Sequence, residues 1–369
     1  MEKKGKRIVK ILFILLFVLF ESFNVIITAE EDTIREKHSL PHQWITVGIH
    51  HADYTSIQEA IDQASPESTI YLTQGVYTEI LHITKHIHLI GENKKTTIIR
   101  PTSTANSFAI HIAASHVSIQ NVHISNNAPG IYTTAVKISQ PFTTIDSCTF
   151  SNTPIGIACW SSNNTIRNSE FYQCRDEGIA LLGSTHNKCN QNSIKNCVFY
   201  DNCDGIELQY SSYNRITKCT FYNQTHAAID AIGQHNNNNI ISTCKIHEQQ
   251  AYGIFLVKSS DNKIVECTIT SLTIKESYKN TLQNCEVDDI SISSDSHLLI
   301  EQNGDEPLSH PNPELSQQIH HQYDPLPTHE ELPYSSPHIT LFFHLILHNQ
   351  KFKSNLQDYL LRIQEKNHF

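Results

Sequence analysis

Apolar residues recur along this chain in short alternating runs separated by polar turns, not in long helical stripes. One phrase, Asn-x-Ile/Leu-x-x-Cys/Ser-x-Phe/Ile/Val, repeats. It reads Asn164, Ile166, Ser169, Phe171, then Asn192, Ile194, Cys197, Phe199, then Asn214, Ile216, Cys219, Phe221. It continues as Asn239, Ile241, Cys244, Ile246, as Asn262, Ile264, Cys267, Ile269, and as Asn280, Leu282, Cys285, Val287. Degenerate copies precede it at Ile119, Val122, Ile124 and at Ile145, Cys148, Phe150. A second phrase follows most copies, as Gly156-Ile157, Gly178-Ile179, Gly205-Ile206, Ala228-Ile229 and Gly253-Ile254. The copies lie 18 to 28 residues apart. A unit that short cannot bury its own apolar side, so it must stack on its neighbours. The pattern predicts an all-β parallel solenoid of coils spaced about 4.8 Å apart, each with two or three short strands.

Stacking gives each file of equivalent residues a physical role. Ile, Cys and Phe point inward, and the repeated Asn sits at an inward turn where its amide bonds the next coil. Gly before Ile is expected to allow a sharp bend. Six cysteines (148, 197, 219, 244, 267 and 285) fall in one file as buried free thiols. The off-file Cys159, Cys174, Cys189 and Cys203 are the better disulfide candidates.

Before the repeats, apolar residues from Tyr54 to Ala64 keep helical spacing, with Ser56 placed as N-cap and Glu59 three residues on. A short capping helix here would cover the open end of the first coil. The solenoid is expected over residues 44–302. Seven of the thirteen prolines fall between Pro307 and Pro337, so 303–337 reads as a Pro-rich linker. Residues 338–369 then return to helical spacing as an amphipathic tail, suited to packing on the solenoid, a partner or a membrane surface. At the other end, Lys3, Lys4, Lys6, Arg7 and Lys10 precede the apolar run from Ile11 to Phe20. Residues 1–29 therefore read as a signal peptide or an uncleaved N-terminal anchor. The remainder is expected outside the cytoplasm, secreted, at the cell surface or periplasmic.

With a net charge of −10 and no clustered Lys and Arg, nucleic acid is excluded as a partner. The candidate chemistry comes from stacking. The residue after Ile in the second phrase places Ala158, Ala180, Glu207, Asp230 and Phe255 in one file, expected to be exposed. Glu207 and Asp230, one rung apart, are the candidate catalytic pair, since neighbouring carboxylates raise each other's pKa and divide acid and base roles. They could instead grip Ca²⁺. Arg175, Asp176, Asp204, His226, Trp160 and Gln209 flank them as candidate substrate-binding residues. The 23 histidines show no zinc or copper spacing, and no metal ligands are assigned. Tyr172, Tyr200 and Tyr222 each follow a Phe or its equivalent and are expected to form an outward stripe that suits sugar faces.

The segments Asp53-Tyr-Thr-Ser-Ile-Gln-Glu-Ala-Ile-Asp, Thr69-Ile-Tyr-Leu, Gly75-Val-Tyr-Thr-Glu and Ile87-His-Leu-Ile-Gly-Glu92 resemble the start of pectin-lyase-like proteins. With the repeats from Asn164 to Cys285, they are most similar to the periplasmic NosD-type and carbohydrate-associated β-helix group. The resemblance implies a right-handed parallel β-helix and carbohydrate association, with polysaccharide or a surface glycan as partner. An enzyme of this type would be a lyase or glycoside hydrolase. The polygalacturonase-like paired Asp, Gly-His-Gly and Arg-Ile-Lys are absent, and a pectate-lyase-like calcium cluster with an Arg base is not evident. Two further functions follow from the same resemblance. One is a non-enzymatic surface or adhesion module that presents its turns to a partner protein. The other is a NosD-like accessory protein handling a metal or metalloprotein, although copper could not use Met ligands because Met1 stands alone.

Overall fold

The computed structural model describes residues 43–302 apart from Ser103. The expected signal or anchor, the Pro-rich linker and the helical tail lie outside the described residues.

Each full coil contributes three strands, as in Arg215–Thr217, Thr220–Tyr222 and Ala227–Ile232. The first strands form a twelve-stranded parallel sheet, and the other two of each coil belong to an eighteen-stranded one. Register is in phase with the repeat, so Ile145, Ile166, Ile194, Ile216, Ile241, Ile264 and Leu282 are successive partners in one file. Side chains in a strand alternate between faces, so a one-residue slip would turn this whole file outward.

In the second strands, Phe150, Phe171, Phe199 and Phe221 stack with ring centroids 4.7, 4.9 and 4.7 Å apart and nearly parallel planes. Each ring is buried, which contributes about 1.5–3 kcal/mol per side chain. The tyrosines beside them point outward as expected. Tyr172, Tyr200 and Tyr222 stack at 5.0 Å, and His247 extends the stripe.

The turns explain the Asn file. Asn164 Oδ1 accepts the backbone N–H of Thr143, Asn192 Oδ1 that of Asn164, and Asn214 Oδ1 that of Asn192. Asn239, Asn262 and Asn280 continue the ladder. Backbone amides buried in a bend thus each receive an acceptor from the next coil. A second ladder, which the sequence reading missed, runs between the second and third strands. Asn202 Oδ1, Gln224 Oε1 and Gln249 Oε1 accept the N–H groups of Cys174, Asn202 and Gln224. Its signal was an amide side chain two residues after Tyr200, Tyr222 and His247 of the outer stripe.

The Gly file has a different cause from the bend expected of it. Gly156, Gly178, Gly205 and Gly253 are absent from the positive-φ positions. A Cβ on Gly205 would instead lie 2.5 Å from the Ala228 carbonyl and 2.7 Å from the Phe221 ring. Space, not backbone freedom, requires Gly here.

All ten cysteines are free, including the four disulfide candidates. Most of their thiols donate to backbone carbonyls. Cys189 Sγ donates to the Cys159 and Ser161 carbonyls, and Cys159 Sγ to that of Ser161. In the inward file, each thiol donates to the Ile carbonyl of the preceding coil, as Cys219 does to Ile194 and Cys244 to Ile216.

Helix α1 (Ile57–Gln63) buries Ile57, Ala60 and Ile61 against the first coil. Ser56 accepts the N–H of Glu59, as the sequence suggested. The carboxylate at the first-turn amides is that of Glu79, which accepts from Ile57 and Gln58. Lys85 Nζ donates to the carbonyls of Ile61, Asp62 and Ala64 at the other end. Charges from the solenoid thus satisfy both helix termini with the signs their partial charges favour.

Candidate functional site

The third strands Ile155–Cys159, Glu177–Leu182, Asp204–Gln209, Ala227–Ile232 and Tyr252–Val257 carry the candidate residues. Their register sets one file in the order His82, His111, Lys137, Ala158, Ala180, Glu207, Asp230, Phe255. Glu207 and Asp230 are direct partners, as the repeat implied. A parallel file runs Glu177, Asp204, Ala227, Tyr252.

The file was expected to be exposed, and from Ala158 to Phe255 it is buried instead. Glu207 is 8% exposed, Asp230 3%, Asp204 4% and Glu177 5%. Rungs about 4.8 Å apart bring long side chains onto short neighbours. Tyr252 and Phe255 stack at 4.5 Å and meet the His226 ring edge-on, closing the file at that end.

His226, its side chain 20% exposed, lies at the centre. Its Nδ1 hydrogen-bonds Asp204 Oδ1 at 2.8 Å and lies 3.8 Å from Asp230 Oδ2. The Ala227 N–H also donates to Asp204 Oδ1, which fixes that carboxylate. Glu177 Oε2 and Asp230 Oδ1 are buried without a hydrogen-bond partner.

Electrostatics favour the protonated forms. Burial, followed by the Glu207 charge, pushes Glu177 well above the usual carboxylate range. Burial, then the Asp204 and Glu207 charges, does the same for Asp230. Glu207 is raised to about 7, chiefly by burial. The hydrogen bond from His226 to the Asp204 carboxylate raises the His226 pKa against the opposing effect of burial. The cluster can supply a carboxylate-oriented imidazole and protonated acids, or oxygen and nitrogen donors to a cation.

The structure thus brings Glu207, Asp230, Asp204 and His226 together. Glu177, which the sequence places before Gly178 as it places Asp204 before Gly205, belongs to the same cluster. Arg175 and Asp176 lie at the edge, beside Gly130, Ile131 and Pro154, and Arg175 donates to the Ala128 carbonyl. Gln209 occupies the far end of its strand. Trp160, 46% exposed, lies two rungs from Gln209 along that file. It lines a separate pocket of about 650 Å³ with Lys137, Asn163, His186 and Lys188.

Three of the early histidines bond serines one coil on, while His86 packs against His88 and His116. His88 pairs with Ser118, His111 with Ser139 and His123 with Ser151.

A family pattern described as the right-handed β-helix region matches residues 108–269 and 187–304. No curated protein matches the sequence. Among solved structures, the chain is similar to the A-module of the mannuronan C-5 epimerase AlgE4 of Azotobacter vinelandii. That likeness is 15% identical, covers 67% of this chain and 89% of that one, and has a TM-score of 0.55. The enzymatically active domain of tailspike protein 2 of bacteriophage CBA120 is 12% identical, with a TM-score of 0.54, 65% of this chain covered and 44% of that one. The chain thus spans less than half of the tailspike domain. At these identities the likeness is one of fold. With its in-phase files, its Asn ladders and a family pattern across more than half of its length, this chain belongs to the right-handed parallel β-helix family.

Proposed function

We infer that this chain is an exported protein that binds an acidic polysaccharide along the outer face of its third-strand sheet. The observation that carries this reading is the Trp160 pocket. An exposed indole there is surrounded by Lys137, His186 and Lys188, which suits a sugar face beside a carboxylate or sulfate. From that pocket the small Ala158 and Ala180 lead along the axis toward Glu207. One rung is close to the length of one pyranose ring along a chain, so successive sugars can meet successive coils. The epimerase A-module and the tailspike domain share the fold, and the epimerase acts, by its name, on an acidic polysaccharide. Export rests on the N-terminal basic and apolar run alone.

Burial of Glu207 and Asp230 favours binding without cleavage, the role of a surface module. Processing would fall to His226, oriented by Asp204 and the most exposed member of the cluster. A glycan array of acidic and neutral polysaccharides tests the reading. The wild type should retain acidic glycans, and Trp160→Ala and Lys137→Ala should each lose most of that signal. Retention of neutral glycans alone, or no effect of either substitution, would refute it. Product formation on a retained glycan, abolished by His226→Gln, would establish processing.

A further inference from the structure

We propose that Asp204, His226 and Asp230 form a binding site for one divalent transition-metal ion of the zinc class. Their donor atoms all lie within 4.8 Å of one another. Bonds of about 2.0–2.1 Å to a four-coordinate ion require donors roughly 3.4 Å apart. The 2.8 Å Asp204–His226 contact would open slightly, and the 3.8 Å His226–Asp230 contact would close slightly. Both adjustments are within side-chain rotation.

A second observation points to a ligand. Asp230 Oδ1, on a side chain 3% exposed, has no hydrogen-bond donor, and neither does the equally enclosed Glu177 Oε2. A buried carboxylate oxygen left without a partner is costly and rare. Four carboxyl groups gather here, and among the described residues His226 is the only cationic side chain ion-paired with them. Charge balance therefore requires protons or a cation.

The donor set distinguishes the cation. Ca²⁺ prefers six to eight oxygens, whereas imidazole with carboxylate matches zinc and its neighbours. His226 would bind through Nδ1, leaving the proton on Nε2. The Ala227 N–H on Asp204 Oδ1 supplies the outer support that holds ligands in place. The fourth position would be left to water, as in zinc sites with three protein ligands.

The inference does not rest on sugar binding at the Trp160 pocket, although it takes the same His226 that would carry any processing, and its test uses no sugar. Full-length protein is stripped with chelator, titrated with ZnCl₂ or CoCl₂, desalted and assayed for bound metal. The intensity of Co²⁺ visible absorption reports four-coordinate binding, and thermal melting reports stabilisation. The wild type should retain a metal equivalent that His226→Gln and Asp230→Asn each weaken at least tenfold. The chain contains 23 histidines, so the assignment rests on that difference and not on total metal. Asp230→Asn is nearly isosteric and keeps a hydrogen-bonding group at the same buried position, so its metal-free form should melt close to the wild type while losing the zinc-induced rise. Identical binding by wild type and both variants, no retained metal, or displacement of zinc by equimolar Ca²⁺ would overturn the proposal.

Discussion

Before the inward Cys or Ser of each coil stands a residue in the left-handed region, and none is glycine. Ser147, Asn168, Asn196, Lys218, Thr243, Glu266 and Asn284 have φ between 50° and 56°. Asn tolerates this conformation, but a β-branched side chain does not. Thr243 is exposed, so Thr243→Asn should raise stability by roughly 1 kcal/mol in a urea melt. The opposite outcome is expected where space is short. Gly205→Ala drives a methyl group into the Ala228 carbonyl and the Phe221 ring, and should lower stability by about 1–3 kcal/mol. Titration of the acid file gives a third residue-scale expectation. Glu177, Glu207, Asp230 and His226 all have raised pKa values in the fold, so the folded state holds more protons than the unfolded chain. The stability these groups contribute is then fully present below pH 3.8, the ordinary value for Asp230, and falls as pH rises through the folded value of about 7 for Glu207. The melting temperature of metal-free protein should drop across that interval, and Glu207→Gln should flatten the slope.

At the scale of elements, the ladders and caps determine whether a coil closes. Asn214→Ala removes the acceptor of the Asn192 N–H and leaves that amide buried and unpaired. The expected cost is about 1–3 kcal/mol by chemical denaturation. Glu79→Ala should destabilise by about 1 kcal/mol, through fraying of α1 over the first coil. These elements also show what the sequence makes legible. Files repeated in nearly constant words, such as Ile166 to Leu282 and Asn164 to Asn280, can be read because each coil imposes the same demand on the same position. Glu79 cannot be so read, because its partner lies one turn away and occurs only once. The pairing of Glu207 with Asp230 follows from register alone. Their burial, and the contact between His226 and Asp204 across a rung, depend on how long side chains fold over short ones, which periodicity does not encode.

For the whole molecule, net charge and local charge oppose one another. The chain carries −10 overall, yet the third-strand face begins with His82, His111 and Lys137 and turns acidic at Glu207. The positive charge at Lys137 thus lies apart from the buried acids along the same file. Acidic glycan retention at the Trp160 pocket should weaken as salt rises, because Lys137 and Lys188 act through screened charge.

The ten unbridged thiols bear on how such a protein reaches its destination. Once wound, the tube gains nothing from an oxidant, and a reductant such as dithiothreitol should leave its melting temperature unchanged. The unwound chain is vulnerable instead, since sulfurs now shielded by neighbouring coils would be open to random cross-linking in an oxidising compartment. Refolding yield should thus depend strongly on redox conditions that the finished fold ignores.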